Sequence, residues 1–432
     1  MIAEVYRILR VSTAIFSATM IAVSARAAVS AEPENTVVFR HGDKPYVNIR
    51  TPQILVTQKG TLLALAQGRQ SDHDQSENDI IFKRSTDGGA TWSPAKIAAD
   101  AGRDTLNSIC VVQVRETGRI IIMGSIIPYG YEYADFKYLS PGMQGYQRRH
   151  GRADRPHLKL GYEGNEIQRS YVVTSDDDGQ TWSPITDVTK STKLPPPMVW
   201  VMPGPGIGIQ LKHGPHAGRI VMPCYARWLN MNSTTPVPEE ERGGARYECA
   251  PYAVYSDDRG KTWQRGELSR PGKSAPGKKS PGTYTNETQM VELDDGTVML
   301  NSRAGSARNV ARSTNGGMTW SPLQVDEYLK ITETAAGLIK YSSRRDGEKS
   351  RLLFSNPIVK NRIEGRIWLS YDEGKTWPHF KVIEPGKFSY STLARLPDGR
   401  IGCLYDGNEG VRFAKLTLAW LTDGKDVGTH KP

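Results

Sequence analysis

The chain has 432 residues, 38% of them hydrophobic and 24% charged, with 42 Gly, 27 Pro and four Cys. That apolar content supplies a core and excludes wholesale disorder, the glycines follow no collagen period, and four cysteines are too few for a disulfide scaffold. Lys and Arg number 56 against 46 Asp and Glu, and the net +10 favours an anionic partner, but no Lys/Arg run exceeds three, so the usual nucleic-acid footprint is missing.

Residues 1–31 differ in composition from all that follows. Arg7 and Arg10 precede a mostly apolar stretch from Val11 to Ala25, and small residues follow in Ala25-Arg26-Ala27 and Val29-Ser30-Ala31. A charged start, a short apolar run and an A-x-A-like exit predict a secretory signal peptide. The run is too short and too interrupted by Ser and Thr for a transmembrane helix, and no later segment is apolar enough to be one. The mature protein is therefore expected to be secreted or periplasmic, without a transmembrane segment. In such an oxidising compartment Cys224 and Cys249 have two options, a disulfide or two buried thiols.

Further along, five segments share Ser-x-Asp-x-Gly-x-Thr-Trp: Ser85 to Trp92, Ser175 to Trp182, Ser256 to Trp263, Ser313 to Trp320 and Ser370 to Trp377, with Asn315 replacing Asp in the fourth. Chance does not produce five such copies. Each follows an alternating or β-branched run such as Ile80-Ile81-Phe82 or Tyr171-Val172-Val173. Leu293 to Val298 and Leu396 to Ile401 read as strand, Asp-Gly turn and strand. No helical period is sustained, so the chain is predicted to be all-β and mainly antiparallel. Within the repeat, Asp accepts hydrogen bonds from turn amides, Gly adopts a conformation that other residues resist, and Trp packs under the turn. These are structural duties. The copies recur every 57 to 90 residues, as in a propeller with inserted loops, so residues 36–425 are read as one domain. The insert from Tyr129 to Gly164 is expected to be a long loop over one face, and Arg270 to Pro281 a surface loop.

With these repeats and a leader, the chain resembles the bacterial sialidases, exo-acting glycosidases built on a six-bladed propeller of antiparallel four-stranded blades. Asn48-Ile49-Arg50-Thr51-Pro52 is similar to the segment that opens the sialidase domain, and Leu300-Asn301-Ser302-Arg303 and Asn361-Arg362 are similar to two later ones. The resemblance implies that Arg50, Arg303 and Arg362 clamp the sialic acid carboxylate, a role suited to permanent charge and fork geometry. Glu287 in Asn286-Glu287-Thr288 and Tyr390 in Ser389-Tyr390-Ser391 look like the family's nucleophile pair. The anomeric carbon of sialic acid bears a carboxylate, so a neutral phenol attacks where an anionic nucleophile would be repelled.

The acid/base is expected in Gly68-Arg69-Gln70-Ser71-Asp72-His73-Asp74, where the family's spacing selects Asp74 over Asp72 and Asp79, with Arg69 lining the site. The implied activity is hydrolysis of terminal α-linked sialic acid from glycoproteins, glycolipids or oligosaccharides, without a cofactor or metal. Two rivals stand beside it. One is a related glycosidase or trans-sialidase acting on another keto-acid sugar, and the other is a carbohydrate-binding propeller that does not cut. Ile49 and Thr51 depart from the family pattern around the first arginine.

Overall fold

The computed structural model describes residues 32–139, 141–195, 198–229, 247–272, 284–305, 307–329, 334–359 and 361–428. The predicted leader, and most of the 270–281 loop, lie outside these. The runs Ile80-Ile81-Phe82 and Tyr171-Val172-Val173 sit in the strands Asn78–Ser85 and Arg169–Ser175, and the same pattern gives 26 strands among the described residues.

Hydrogen bonding groups the strands into four-stranded antiparallel units arranged as a propeller-like ring. Four sheets stand as separate blades, formed by residues 198–265, 288–325, 337–387, and 391–416 together with Glu34–Arg40. The first of these carries a short fifth strand, Ile209–Gln210. The remaining sheet has nine strands. It holds two antiparallel units, 48–99 and 105–187, joined by one parallel pair, Asn78 with Thr105. Four separate blades are therefore seen where six were expected. The linker between the two joined units is only a few residues long, so the second begins hydrogen-bonded to the first.

The ring closes through the early strand Glu34–Arg40, which pairs antiparallel with Gly410–Leu416 and ties the start of the domain to its end. The first strands of successive units lie against one another, with Asn48–Val56 touching both Thr105–Gln113 and Ser391–Arg395. Radial repetition of this kind leaves only short, protected edges.

The five repeated turns behave as their sequence predicts. In the first, the Ser85 hydroxyl donates to Asp87 (2.7 Å), and Asp87 accepts from the Thr91 amide (3.0 Å) and hydroxyl (2.5 Å). In the fourth, Asn315 keeps the acceptor role toward Thr319 N (2.9 Å) and uses its amide nitrogen to donate to the Thr319 hydroxyl (2.8 Å). The repeat glycine has a further duty. Gly89 has φ +86° and presses on the Phe413 ring of the last sheet, where a Cβ would collide. Gly179, Gly260, Gly317 and Gly374 abut Leu63, Ile121, Ala253 and Met299, each in the preceding unit. Every repeat thus seals its own unit to the one before it.

The antiparallel path decides which end carries what. Each unit's first strand leaves one end of the ring, the second returns to it, and the third runs away again into the repeat turn. The repeats therefore occupy one end. The other collects the starts of first strands, the ends of second strands, and the 129–164 insert, which follows the second strand Ile120–Ile127. That insert is not the plain loop expected, because it contains the helix Pro141–Arg149. Its Tyr133 stacks on Trp200 at 4.9 Å.

All four cysteines are buried free thiols. Cys224 lies opposite Tyr252 and Cys249 opposite Arg227, an offset of three residues along the two strands. An odd offset turns the two side chains to opposite faces of the sheet, so they do not meet.

Candidate active site

A cavity of about 570 Å³ opens at the end away from the repeats, and Arg50, Arg69, Asp74, Glu287, Arg303, Arg362 and Tyr390 all line it. The strand order explains this gathering. Arg50 is the third residue of the strand Asn48–Val56, while Arg69 closes Leu62–Arg69 and Arg303 sits near the end of Val298–Ala304. Glu287, Arg362 and Tyr390 each immediately precede a strand that starts at this end.

Tyr390 and Glu287 come together across the ring. The Tyr390 hydroxyl donates to Glu287 Oε1 at 2.6 Å, and Arg303 Nη1 donates to Glu287 Oε2 at 2.8 Å. Burial, reinforced by the Glu287 carboxylate, pushes the Tyr390 phenol up to about 12 against the opposing charges of Arg362 and Arg303. The phenol is therefore protonated in the resting site, and Glu287 is its nearest proton acceptor. The Arg362 guanidinium stands 5.2 Å from the Tyr390 ring centre and donates to Ser389 Oγ at 2.9 Å.

Arg50 is anchored from behind. Its Nε donates to Asp406 Oδ2 at 3.0 Å, and the Asp406 side chain is 1% exposed. Burial alone would lower the arginine, but Asp406 outweighs it and holds Arg50 above its usual value. Ile49, a departure from the family pattern, is buried in the core, and Thr51, the other, has φ 60° and donates to Gln67 Oε1 at 3.2 Å. Ser108 (φ 41°) and Arg362 (φ 61°) also line the cavity in left-handed backbone. Register shifts follow Arg50 and Asn107 in their strands, where bulges re-aim side chains. Strained residues of this kind gather where a site over-determines geometry.

Of the three candidate acids, Asp74 and Asp72 line the cavity, whereas Asp79 is turned away and accepts from the Tyr46 hydroxyl at 2.6 Å. Asp74 accepts from Arg69 Nη1 at 2.5 Å. Desolvation pushes its carboxyl up, but Arg69, then Arg50, outweigh that and hold it below the usual carboxylate range. Arg69 is in turn fixed by Gln67 Oε1, at 2.7 Å from Nη2. Asp72 accepts from Asn48 Nδ2 at 3.0 Å.

Six arginines line the cavity against three carboxylates, so it is built for an anion. The sequence profile of BNR repeat-like domains matches residues 60–403. The chain belongs to the BNR repeat-like family. Among the relatives of this BNR chain, a sialidase of Micromonospora viridifaciens is 34% identical over 88% of the chain and 53% of its own length. A sialidase of Bacteroides fragilis is 28% identical over 86% of the chain and 62% of its own length. The chain thus spans about half to three fifths of the length of these curated relatives. A Hadza microbial sialidase of known structure, Hz136, superposes with a TM-score of 0.69 at 26% identity, covering 88% of this chain and 68% of that one.

Several lining residues of this BNR domain escape sequence reasoning. Arg227 is 1% exposed, with its guanidinium 4.2 Å from the Tyr247 ring centre and 5.2 Å from those of Tyr133 and Trp200. Such an aromatic cage holds a cation by ring quadrupoles. Tyr133, Met143 and Tyr146 reach the cavity from the insert. None carries a motif. Asp406 had a faint signal, since it ends the strand pair that follows Tyr390.

Proposed function

We propose that the chain is an exo-α-sialidase that releases terminal sialic acid from glycoconjugates with retention of anomeric configuration. The observation that carries this reading is the Tyr390–Glu287 hydrogen bond of 2.6 Å in a cavity that Arg50, Arg303 and Arg362 also line. The sialidase relatives support the substrate class. In the proposed first step the substrate carboxylate sits among the three arginines and Tyr390 Oη attacks the anomeric carbon. The phenolic proton passes to Glu287, and protonated Asp74 gives its proton to the departing glycosidic oxygen. In the second step Asp74 takes a proton from water, the water oxygen forms the new bond to the anomeric carbon, and Glu287 returns its proton to the departing Tyr390 oxygen. The leader reading adds export to the periplasm or the medium, where sialylated glycans are met.

The test uses the full chain with an aryl α-glycoside of N-acetylneuraminic acid, beside Tyr390→Phe and Asp74→Ala. Turnover by the parent, with a loss of about 1,000-fold or more in Tyr390→Phe, is the expected result, and NMR of the first product anomer reads retention. Full activity in Tyr390→Phe refutes the nucleophile, and recovery of the enzyme only in the cytosol refutes export. A second reading, transfer of the sialosyl group to an acceptor other than water, would appear as a product other than free sialic acid.

A further inference from the structure

We propose that the helix Pro141–Arg149 of the 129–164 insert is the positioning element for Asp74, gripping the residues on either side of it. The inference rests on the reading of Asp74 as acid/base. Within its own loop, Asp74 is held by Arg69 at 2.5 Å and, through its backbone carbonyl, by Asn78 Nδ2 at 3.0 Å, while its side chain is 63% exposed. Two groups do not fix the direction of a carboxyl that must meet a glycosidic oxygen. The neighbours supply the missing constraint.

On one side, His73 is 3% exposed, and its ring stacks on Tyr146 at 5.1 Å with an interplanar angle of 24°. His150 meets the same ring edge-on at 5.2 Å, and Tyr146 and His150 lie 4.3 Å apart. Tyr146 lies in the last turn of the insert helix, and His150 follows its final residue, four positions on. Burial, with the Arg152 charge added, pushes the His73 imidazole down to about 3, so the stack is formed by a neutral ring. On the other side, Gln75, with its amide oriented to satisfy both neighbours, donates to Glu132 Oε2 at 2.5 Å and accepts from Tyr133 N at 3.2 Å. Glu132 is 3% exposed, accepts from Gln147 Nε2 at 2.9 Å, and pairs with Arg152.

Glu132 therefore links the acid loop, the helix and the segment after it through one buried carboxylate. Breaking one member of a buried charged network leaves another's charge uncompensated, which is costly, so the network resists rearrangement. Tyr146 and Glu132 are positioning residues here: Glu132 acts through Gln75, and Tyr146 through His73 and a hydrogen bond with the Asp74 backbone.

The test exploits leaving-group chemistry. A nitrophenolate departs without a proton, whereas the lactose of 3′-sialyllactose needs one, and kcat/KM reports this first step. Tyr146→Ala is expected to lower kcat/KM on sialyllactose about 100-fold while lowering that on the nitrophenyl sialoside less than about 5-fold, and Tyr146→Phe, which keeps the stack on His73 but loses the hydrogen bond with the Asp74 backbone, is expected to recover most of the loss on sialyllactose. Equal losses on the two substrates, or no loss, overturn the proposal. Asp74→Ala, measured in parallel, separates the two layers. If it fails to show the selective loss, the acid/base reading falls and this proposal with it. If it shows the loss and Tyr146→Ala does not, only the positioning role falls. Should Tyr146→Ala not fold, Glu132→Gln carries the test, with the same selective loss expected and equal losses again overturning it.

Discussion

The two ends of the ring solve the same problem, satisfying polar groups near a sheet edge, by opposite means. At the repeat end the third-position Asp of each repeat that has one is served within its own octapeptide. Asp372 accepts from Ser370 Oγ (2.8 Å), Lys375 N (3.1 Å), Thr376 N (2.9 Å) and Thr376 Oγ1 (2.6 Å), all within four residues. At the cavity end the partners come from far along the chain: Tyr390 and Glu287 are 103 residues apart, and Arg50 and Asp406 are 356 apart. Local satisfaction repeats in the sequence and carries stability. Distant satisfaction leaves no repeat and holds charges poised toward a cavity. Variants at the first end should therefore change melting, and variants at the second should change kinetics.

The largest expected effect is at the cavity. Arg303→Gln removes a proposed carboxylate ligand together with the cationic partner of Glu287, and kcat/KM on a sialoside should fall about 100-fold, as expected for a lost charge-assisted bond of about 3 kcal/mol. Thermal unfolding should hardly move. A large drop in melting temperature with kinetics preserved in the surviving fold would reverse the comparison.

Next comes the repeat end. Asp372→Ala should cost about 1–2 kcal/mol, comparable to losing a helix N-cap, and leave kcat/KM intact. Partial burial pushes the Asp372 carboxyl up, but hydrogen bonds from Thr376 and Ser370 outweigh it and hold it below the usual range. Its contribution is therefore present above the unfolded carboxylate pKa and lost as pH falls through the folded value. Denaturant melts at neutral and acid pH check this, and an undiminished gap between parent and variant in strong acid would contradict it.

The smallest effect is a displaced pH limb. With Arg69 beside it, Asp74 is held low, so its proton is lost early as pH rises and the alkaline limb of kcat/KM sits low. Arg69→Gln removes that cation, raises Asp74, and should move the limb to higher pH on sialyllactose. A limb that stays in place, or moves down, would show that Asp74 does not set it.

Much of this was legible beforehand because local interactions write themselves locally. The repeat needs Ser, Asp, Gly, Thr and Trp within eight positions, and Asn315 shows how far that rule bends: it keeps the acceptor oxygen and replaces the other with a donor. The three arginines, Glu287 and Tyr390 were readable through their sialidase-like segments, and the strand order explains why they meet. Spacing points to Asp74 rather than Asp79, and in the structure Asp79 is engaged by the Tyr46 hydroxyl while Asp74 and Asp72 line the cavity.

What the chain determined by itself is therefore the repeated turn, the strand alternation and the types of residue at one end of the ring, since hydrogen bonds over four residues and a two-residue side-chain period need no distant partner. Only the tertiary structure decided that two units share one nine-stranded sheet, that Cys224 and Cys249 face apart, that Asp406 backs Arg50, and that a helix in the insert grips the Asp74 loop. Each of these depends on register or on contacts between segments far apart in sequence, and a one-residue change in register would send every such side chain to the other face.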